Sequence, residues 1–424
     1  MERRPARGGT LILGGGFAGA WVTRRLGRSG ATIVSPENFM LFTPILPEAA
    51  AGTLEPRHTV VPLREMCPHA ELLLGRVVAL DADRREVVVE GELGSSTVAY
   101  ERLVVALGAI TRTFPIPGLA EHGVGFKTLA DAIHLRNHVL RQLELAAGEP
   151  DPDRRAARLG FVFVGGGYAG VEALAELHDL ARDALRFYPS LRGVPQRWVL
   201  VEAAPRILAE IPSRLGEYAA RQLERRGIEL RYETRLEAVD PGAATLSTGD
   251  RVPANTVVWT AGVKANPLLA RLGLPLDARG RVLVDGSLQV EEHPDIWALG
   301  DCAAVPNAAT PGRTDPPTCQ HALRQARTLA RNLEAVREGR PPQTYRYRML
   351  GQAASLGRHR GIADAMGLRL SGFPGWFFTR TYHLLQLPLA SRKLRVVVDW
   401  TTALLFRRDI AELGTLGHPP RLGE

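Results

Sequence analysis

Two stretches carry the same chemistry-bearing spacing, LILGGGFAG over residues 11–19 and FVFVGGGYAG over residues 161–170. Each contains the pattern G-x-G-x-x-G, with Gly14, Gly16 and Gly19 in the first copy and Gly165, Gly167 and Gly170 in the second. Between a strand and a helix this spacing builds a phosphate cradle. The first glycine turns the chain tightly, the second lets the backbone approach a pyrophosphate, and the third lets helix and strand pack closely, while the helix N-terminus offers unpaired N–H groups to the anion. A single copy would be weak evidence, because tight strand-to-helix turns use glycine on steric grounds alone. Two copies in matching context predict a chain that holds two dinucleotides.

The elements around the two copies read accordingly. Short apolar runs, 10–13 and 161–164, predict buried parallel strands, and each glycine triplet opens a helical pattern, 20–26 in the first unit and 171–185 in the second. The second strand of the first unit is expected at 31–34. An acidic residue usually follows it to accept ribose hydroxyls, but Ser35 stands there; Glu37, two residues on, either takes that role or is a solvated loop carboxylate. In the second unit the strand 198–201 ends at Glu202, a carboxylate that accepts ribose hydroxyls and repels a 2′-phosphate. It argues for NAD over NADP, with Arg206 close enough to weaken the inference.

Late in each unit come VVALG, ending at Gly108, and VVWTAG, ending at Gly262; both predict strands that close a nucleotide-binding half. Residues 148–158, rich in charge and proline, read as an exposed loop between the units. A third signature, IWALGDCA over 296–303, is strand-like and ends at Gly300-Asp301. A proline-rich loop then leads into a helix with apolar residues at Leu323, Ala326, Ala330 and Leu333. The order of these signatures inserts the second unit within the first.

Composition bounds the partners. The chain has 424 residues, enough for two or three domains, and a formal net charge of +8. Residues 369–424 hold eight basic and four acidic side chains among aromatics, without any nucleic-acid motif, which favours a membrane surface over a nucleic-acid groove. Cys67, Cys302 and Cys319 are scattered, so neither a disulfide framework nor a metal site is expected. The opening MERRPARGG lacks an apolar signal core and no apolar run reaches transmembrane length, so the expected place is the cytoplasm or the cytoplasmic face of a membrane.

The three signatures, in this order, resemble the two-dinucleotide-binding flavoproteins of the pyridine nucleotide-disulfide oxidoreductase superfamily. The resemblance implies an α/β fold with two Rossmann-like, glutathione-reductase-like domains, FAD in the first and NAD(P)H in the second. It implies that Asp301 hydrogen-bonds the FAD ribityl chain, against the plain reading of a capping or loop aspartate. No cysteine pair follows the first glycine motif, as thiol relay chemistry would need, so the disulfide-reductase branch is excluded. NFMLFTPILPEAAAG over 38–52 is similar to the segment beside the flavin in type II NADH:quinone oxidoreductases. Pro317-Thr318-Cys319-Gln320 is similar to that family's Ala-Gln quinone-site motif, with Cys319 for alanine, and Arg324 stands where some relatives carry an acid.

This resemblance sets the expected site. Glu172 and Gln320 are the catalytic candidates: Gln320 between flavin and quinone, Glu172 near the flavin and in proton supply, or merely a carboxylate stabilised by a helix dipole. FAD contacts are expected from Gly14, Gly16, Phe17, Ala18, Gly19, Glu37, Thr43, Val77, Gly108, Gly300, Asp301, Cys319 and Gln320. NADH contacts are expected from Gly165, Gly167, Tyr168, Gly170, Glu202 and Gly262. The implied domains are 1–115 with 266–345 for FAD, 116–265 for NAD(P)H, and 346–424 for membrane binding or dimerisation.

In that last region two short helices are expected, one from near Trp376 and one placing Val397, Trp400, Leu404 and Leu405 on one face beside Arg392, Lys393, Arg395, Arg407 and Arg408. Such a stripe suits a helix in the headgroup plane, a dimer interface or plain core. The function that follows is hydride transfer from NADH to FAD and two-electron reduction of menaquinone or ubiquinone without ion pumping, by a peripheral membrane enzyme that could pair as a homodimer. Two alternatives stay open. A sulfide:quinone oxidoreductase would need a second cysteine with Cys319, and a flavin-containing, NADH-responsive binding protein would leave the quinone segment idle.

Overall fold

A computed structural model describes residues 2–414, and the chain divides into two compact units. The first holds residues up to Phe42, Val60–Ile110 and Val263–Met349. Its six-stranded sheet runs in the order Gln289–Val290, His293–Ala298, Arg102–Val105, Thr10–Leu13, Thr32–Ser35, Glu71–Leu74, parallel except for the first strand. Continuous burial of Thr10–Leu13 explains its unbroken apolar pattern, since a parallel strand is covered on both faces. Helices Phe17–Leu26 and Cys319–Arg337 pack together in this unit.

The second unit holds Thr43–Thr59, Thr111–Gly262 and the chain from Leu350. Its parallel sheet has the order Gly123–Gly125, Thr256–Trp259, Gly160–Val164, Arg197–Val201, Ile228–Arg231. Phe161 and Trp198 stack in its core with ring centroids 4.1 Å apart. After residue 350 come an antiparallel sheet, Gly351–Ser355, Gly361–Ala365 and Leu368–Gly372, and two helices, Phe373–Gln386 and Ala390–Leu405. Both units are Rossmann-like α/β structures, and the core of the second is inserted in the sequence of the first.

Two expectations change and a third is narrowed. Residues 148–158 are not a loop throughout: Pro152–Arg158 is a helix, capped by Asp151, whose Oδ1 accepts the N–H groups of Asp153 and Arg154 at 2.9 and 3.0 Å. Proline at the first helical position and aspartate at the cap start a helix, although both also mark loops. The region 346–424 does not stand as a third body: residues 346–349 fall in the first unit, and the described part from Leu350 to 414 groups with the second, as does 43–59. The physical reason is charge: Arg380 pairs with Glu48 at 3.0 Å and Arg408 with Glu176 at 2.6 Å, all four buried. Finally, of the readings open for the tail stripe, the two tryptophans take the inward one. Trp376 is buried, and Trp400 donates its indole N–H to Glu48 at 2.5 Å.

Candidate functional site

The two glycine turns are built alike from the backbone up. Gly14 and Gly165 have φ of +114° and +111°, a region side chains disfavour, and each donates its N–H to the neighbouring strand, at Val34 and Val201. A methyl group on Gly19 would lie 1.9 Å from the Gly14 carbonyl oxygen, and one on Gly170 the same distance from that of Gly165. The middle glycines differ from these: nothing lies within 4 Å of where a side chain on Gly16 or Gly167 would begin. Helices Phe17–Leu26 and Tyr168–Ala184 start there, without side-chain caps. An open cradle facing uncapped helix N–H groups fits a pyrophosphate in both units.

In the first unit the third signature joins the turn. Gly300 packs against Ala18, a side chain there beginning 3.0 Å from the Ala18 methyl, and its N–H donates to Gln325 at 2.8 Å. Gln325 in turn donates to buried Asp315, which also accepts Asn307 and Tyr345. Half-buried Asp301 follows Gly300 beside a small cavity that reaches Thr318 and His321. Cys319 and Gln320 begin the helix that Thr318 caps, and the Gln320 side-chain oxygen Oε1 accepts the Tyr347 hydroxyl at 3.2 Å. Phe17 packs on Phe42 with centroids 5.4 Å apart. Gly108 follows the strand Arg102–Val105, Val77 is buried in the strand Arg76–Asp81, and Glu37 is exposed, its N–H donating to Ser35 Oγ. Thr43 lies in the second unit, exposed at the start of the turn Thr43–Ile45.

In the second unit the Glu202 carboxylate accepts the N–H groups of Gly166 and Ala204 and so closes the turn at the strand's end. Thr260, two residues before Gly262, donates its hydroxyl to the Val164 and Gly165 carbonyls. The Tyr168 hydroxyl is buried and unpartnered at the start of the helix, an orphan polar group of the kind a bound ligand satisfies.

One turn further along that helix lies a second cavity, bounded by Glu48, Glu172, Ser355, Trp376, Arg380 and His383. Glu172 is buried and accepts the Ser355 N–H at 2.8 Å. Burial pushes its carboxyl up to about 8, the Ser355 N–H opposing and the nearby Glu176 and Glu48 charges reinforcing. Burial likewise raises Glu48, against Arg380, which sits between the Trp376 and Trp400 rings at 4.2 and 4.9 Å. It pushes His383 down to about 4. The cavity therefore offers one carboxyl group, Glu172, held protonated near neutral pH beside aromatic and proline walls.

Residues 9–326 match the pyridine nucleotide-disulphide oxidoreductase family. The chain is 30% identical over 413 residues to a probable NADH dehydrogenase of Dictyostelium discoideum, covering 95% of this chain and 90% of that protein. It is 30% identical over 421 residues to a type II NADH:quinone oxidoreductase of Mycobacterium tuberculosis, covering 95% and 89%. The chain belongs to this family, in its type II NADH:quinone oxidoreductase branch. The solved structure of NDH2 from Plasmodium falciparum in complex with NADH shares the fold, with a TM-score of 0.86 at 19% identity over 97% of this chain and 99% of that one.

As a type II NADH:quinone oxidoreductase the chain has no use for a thiol pair, and its cysteines agree. The thiols of Cys67 and Cys302 donate to backbone carbonyls of Ala20, Val105 and Leu299, and burial pushes them up to about 12 and 11. Buried, protonated thiols make poor nucleophiles, so the sulfide alternative loses its second sulfur. Sequence reasoning missed Glu48, Glu176, Ser355 and Arg380, and read Arg408, which is buried against Glu176, only as a basic flank of the tail stripe. One signal was legible: Glu172, Glu176, Asp179 and Asp183 recur at helical spacing on a single face, and all four are buried.

Proposed function

We propose that this enzyme binds NADH at the second glycine turn and FAD at the first, and reduces a membrane quinone, menaquinone or ubiquinone, at the cavity around Glu172. FAD, when bound, supplies a two-electron acceptor for hydride and a donor to the quinone. Gly14, Gly16, Gly19, Gly300 and Asp301 would hold it; Gly165, Gly167, Tyr168, Gly170, Glu202 and Gly262 would hold NADH. The net reaction, NADH plus quinone plus one proton giving NAD⁺ and quinol, consumes a proton and moves no ion across the membrane.

The observation that carries this reading is the cavity itself. A quinone ring is flat and apolar, and its two oxygens must gain protons as electrons arrive. Pro44, Pro47 and Trp376 give the cavity an apolar side, and a carboxyl held protonated near neutral pH beside them suits a quinone oxygen as general acid. The same helix supplies both the NADH-side turn, at Tyr168, and the acid, at Glu172.

Membrane attachment belongs to the same reading. Among the described residues no helix is long and apolar enough to cross a membrane. Helix Ala390–Leu405 instead exposes Leu394, Val397, Val398, Leu404 and Leu405, with Arg395 and Arg407 exposed beside them. An apolar face edged with arginine suits binding in the headgroup plane at the cytoplasmic face, with a second copy of the chain as the competing occupant.

Anaerobic rapid mixing tests the function. Flavin absorbance should bleach with NADH and recover with a soluble quinone analogue, and Gln320→Ala should slow only the recovery. Bleaching without recovery would reject the quinone, and equal loss in both steps would reject Gln320's place in the second.

A further inference from the structure

Glu176 follows Glu172 by one helical turn and is fully buried, yet it touches neither the cavity nor the glycine turn. Its Oε1 accepts the Ser355 hydroxyl at 3.1 Å and its Oε2 accepts Arg408 at 2.6 Å. Ser355 is thus held at two points: its hydroxyl by Glu176, and its N–H by Glu172 at 2.8 Å. Arg408 arrives from the segment after the last helix, donates also to Thr53 at 3.1 Å, and lies 3.7 Å from Asp183. We propose that Glu176 is the positioning residue for Glu172, fixing that carboxyl's orientation through Ser355 and, as an anion clamped by Arg408, the charge it faces. This inference rests on the reading of Glu172 as the acid of the quinone step.

A carboxylate that only balanced Arg408 could have sat elsewhere; Asp183 already faces that guanidinium. Its place beneath Glu172, with Ser355 between, makes it a fixed negative charge one turn from a group that must hold a proton. The other charged or titratable groups facing Glu172 are Glu48 from the helix Leu46–Ala50, Arg380 and His383 from Phe373–Gln386, and Tyr168 from its own helix. Of these Arg380 alone is a fixed cation, and Glu48 and two tryptophan rings engage it. Glu176 therefore keeps the proton on Glu172 without touching the substrate, and the pH range of quinone reduction is set one turn away from the cavity.

The test uses full-length, FAD-loaded protein and follows the quinone half-reaction from pH 5.5 to pH 10, with Glu172→Gln as reference. In Glu176→Gln the alkaline fall of the rate should move down by about one to two pH units, the size expected for removing one charge at close range in a protein interior, while flavin reduction by NADH is unchanged. The double variant Glu176→Gln with Arg408→Gln removes the pair together and avoids leaving a buried guanidinium short of a partner; because the opposing charge of Arg408 goes as well, its displacement should have the same direction and be smaller. The pH at which the stability of each variant levels off should move in step, a readout independent of turnover. An unmoved limb in both variants, when Glu172→Gln abolishes it, overturns the role of Glu176 and leaves Glu172 as the acid. A limb that survives Glu172→Gln removes the acid itself, and with it this inference.

Discussion

Replacing Glu172 by glutamine should make the enzyme more stable at alkaline pH while changing little at acid pH. Glutamine keeps the shape and an oxygen for the Ser355 N–H, but it is neutral throughout. In the wild-type chain, between the ordinary carboxyl value of 4.5 and about 8, the folded state holds a proton that the unfolded state has released. The native state then binds more protons than the unfolded one, so stability falls as pH rises, by about 1.4 kcal/mol for each pH unit. Across that window the loss is on the order of 4–5 kcal/mol, and above about 8 it stops growing. Urea unfolding of the two proteins at pH 5, 7 and 9 measures it. The wild type should match or exceed the variant at pH 5, trail it at pH 7 and trail it further at pH 9. Glu48 contributes to both chains and largely cancels in the difference. Parallel profiles would refute the reasoning, because they would mean that Glu172 ionises in the folded protein as it does in water.

Glu202→Arg takes away the carboxylate that closes the second turn and puts a cation there; the ratio of kcat/KM for NADPH over NADH should rise at least about tenfold, and an unchanged ratio would remove Glu202 from ribose recognition. Changing Leu394, Val398 and Leu405 together to glutamate should cut sedimentation with anionic vesicles, since each buried leucine is worth roughly 2 kcal/mol. Undiminished binding would move the anchor elsewhere, and a changed oligomeric state without loss of binding would give the face to a second copy. Iodoacetamide at pH 8 should label Cys319 alone in the folded protein and all three cysteines after unfolding; rapid labelling of Cys302 would contradict its burial.

Much of the fold was legible because its signals are local. A glycine forced to positive φ beside a strand leaves its mark within six residues, and the strands Thr10–Leu13 and Gly160–Val164, buried on both faces, write themselves as apolar runs. The helix Cys319–Arg337 announced itself by the spacing of Leu323, Ala326, Ala330 and Leu333. The acid centre was legible only at Glu172, because its other parts come from residues 48, 355, 380 and 408, and no local pattern joins residues hundreds of positions apart. The tail left three readings open for a related reason. Tryptophan beside arginine reads alike whether the pair meets headgroups or, as Trp376, Trp400 and Arg380 do, folds inward onto a buried carboxylate.

The duplicated turn shows what sequence repetition conceals. Ser35 and Glu202 occupy equivalent places, each accepting the N–H two residues on, at 3.3 and 2.7 Å. The conformational task of the acid survives in the first unit, but its charge does not, and a serine has no second oxygen to reach the glycine turn as Glu202 reaches Gly166. What closes each turn also differs. The second is tied by one threonine hydroxyl, from Thr260 to the Val164 and Gly165 carbonyls. The first is backed by the Gly300 turn, which Gln325 holds through its N–H and which buried Asp315 anchors with Tyr345 and Asn307. A braced turn without a selecting charge suits a group that stays through many turnovers. A lightly tied turn with a carboxylate at its mouth suits one that must be chosen, used and released each time, which is what the proposed placing of flavin at the first copy and nicotinamide at the second asks of them.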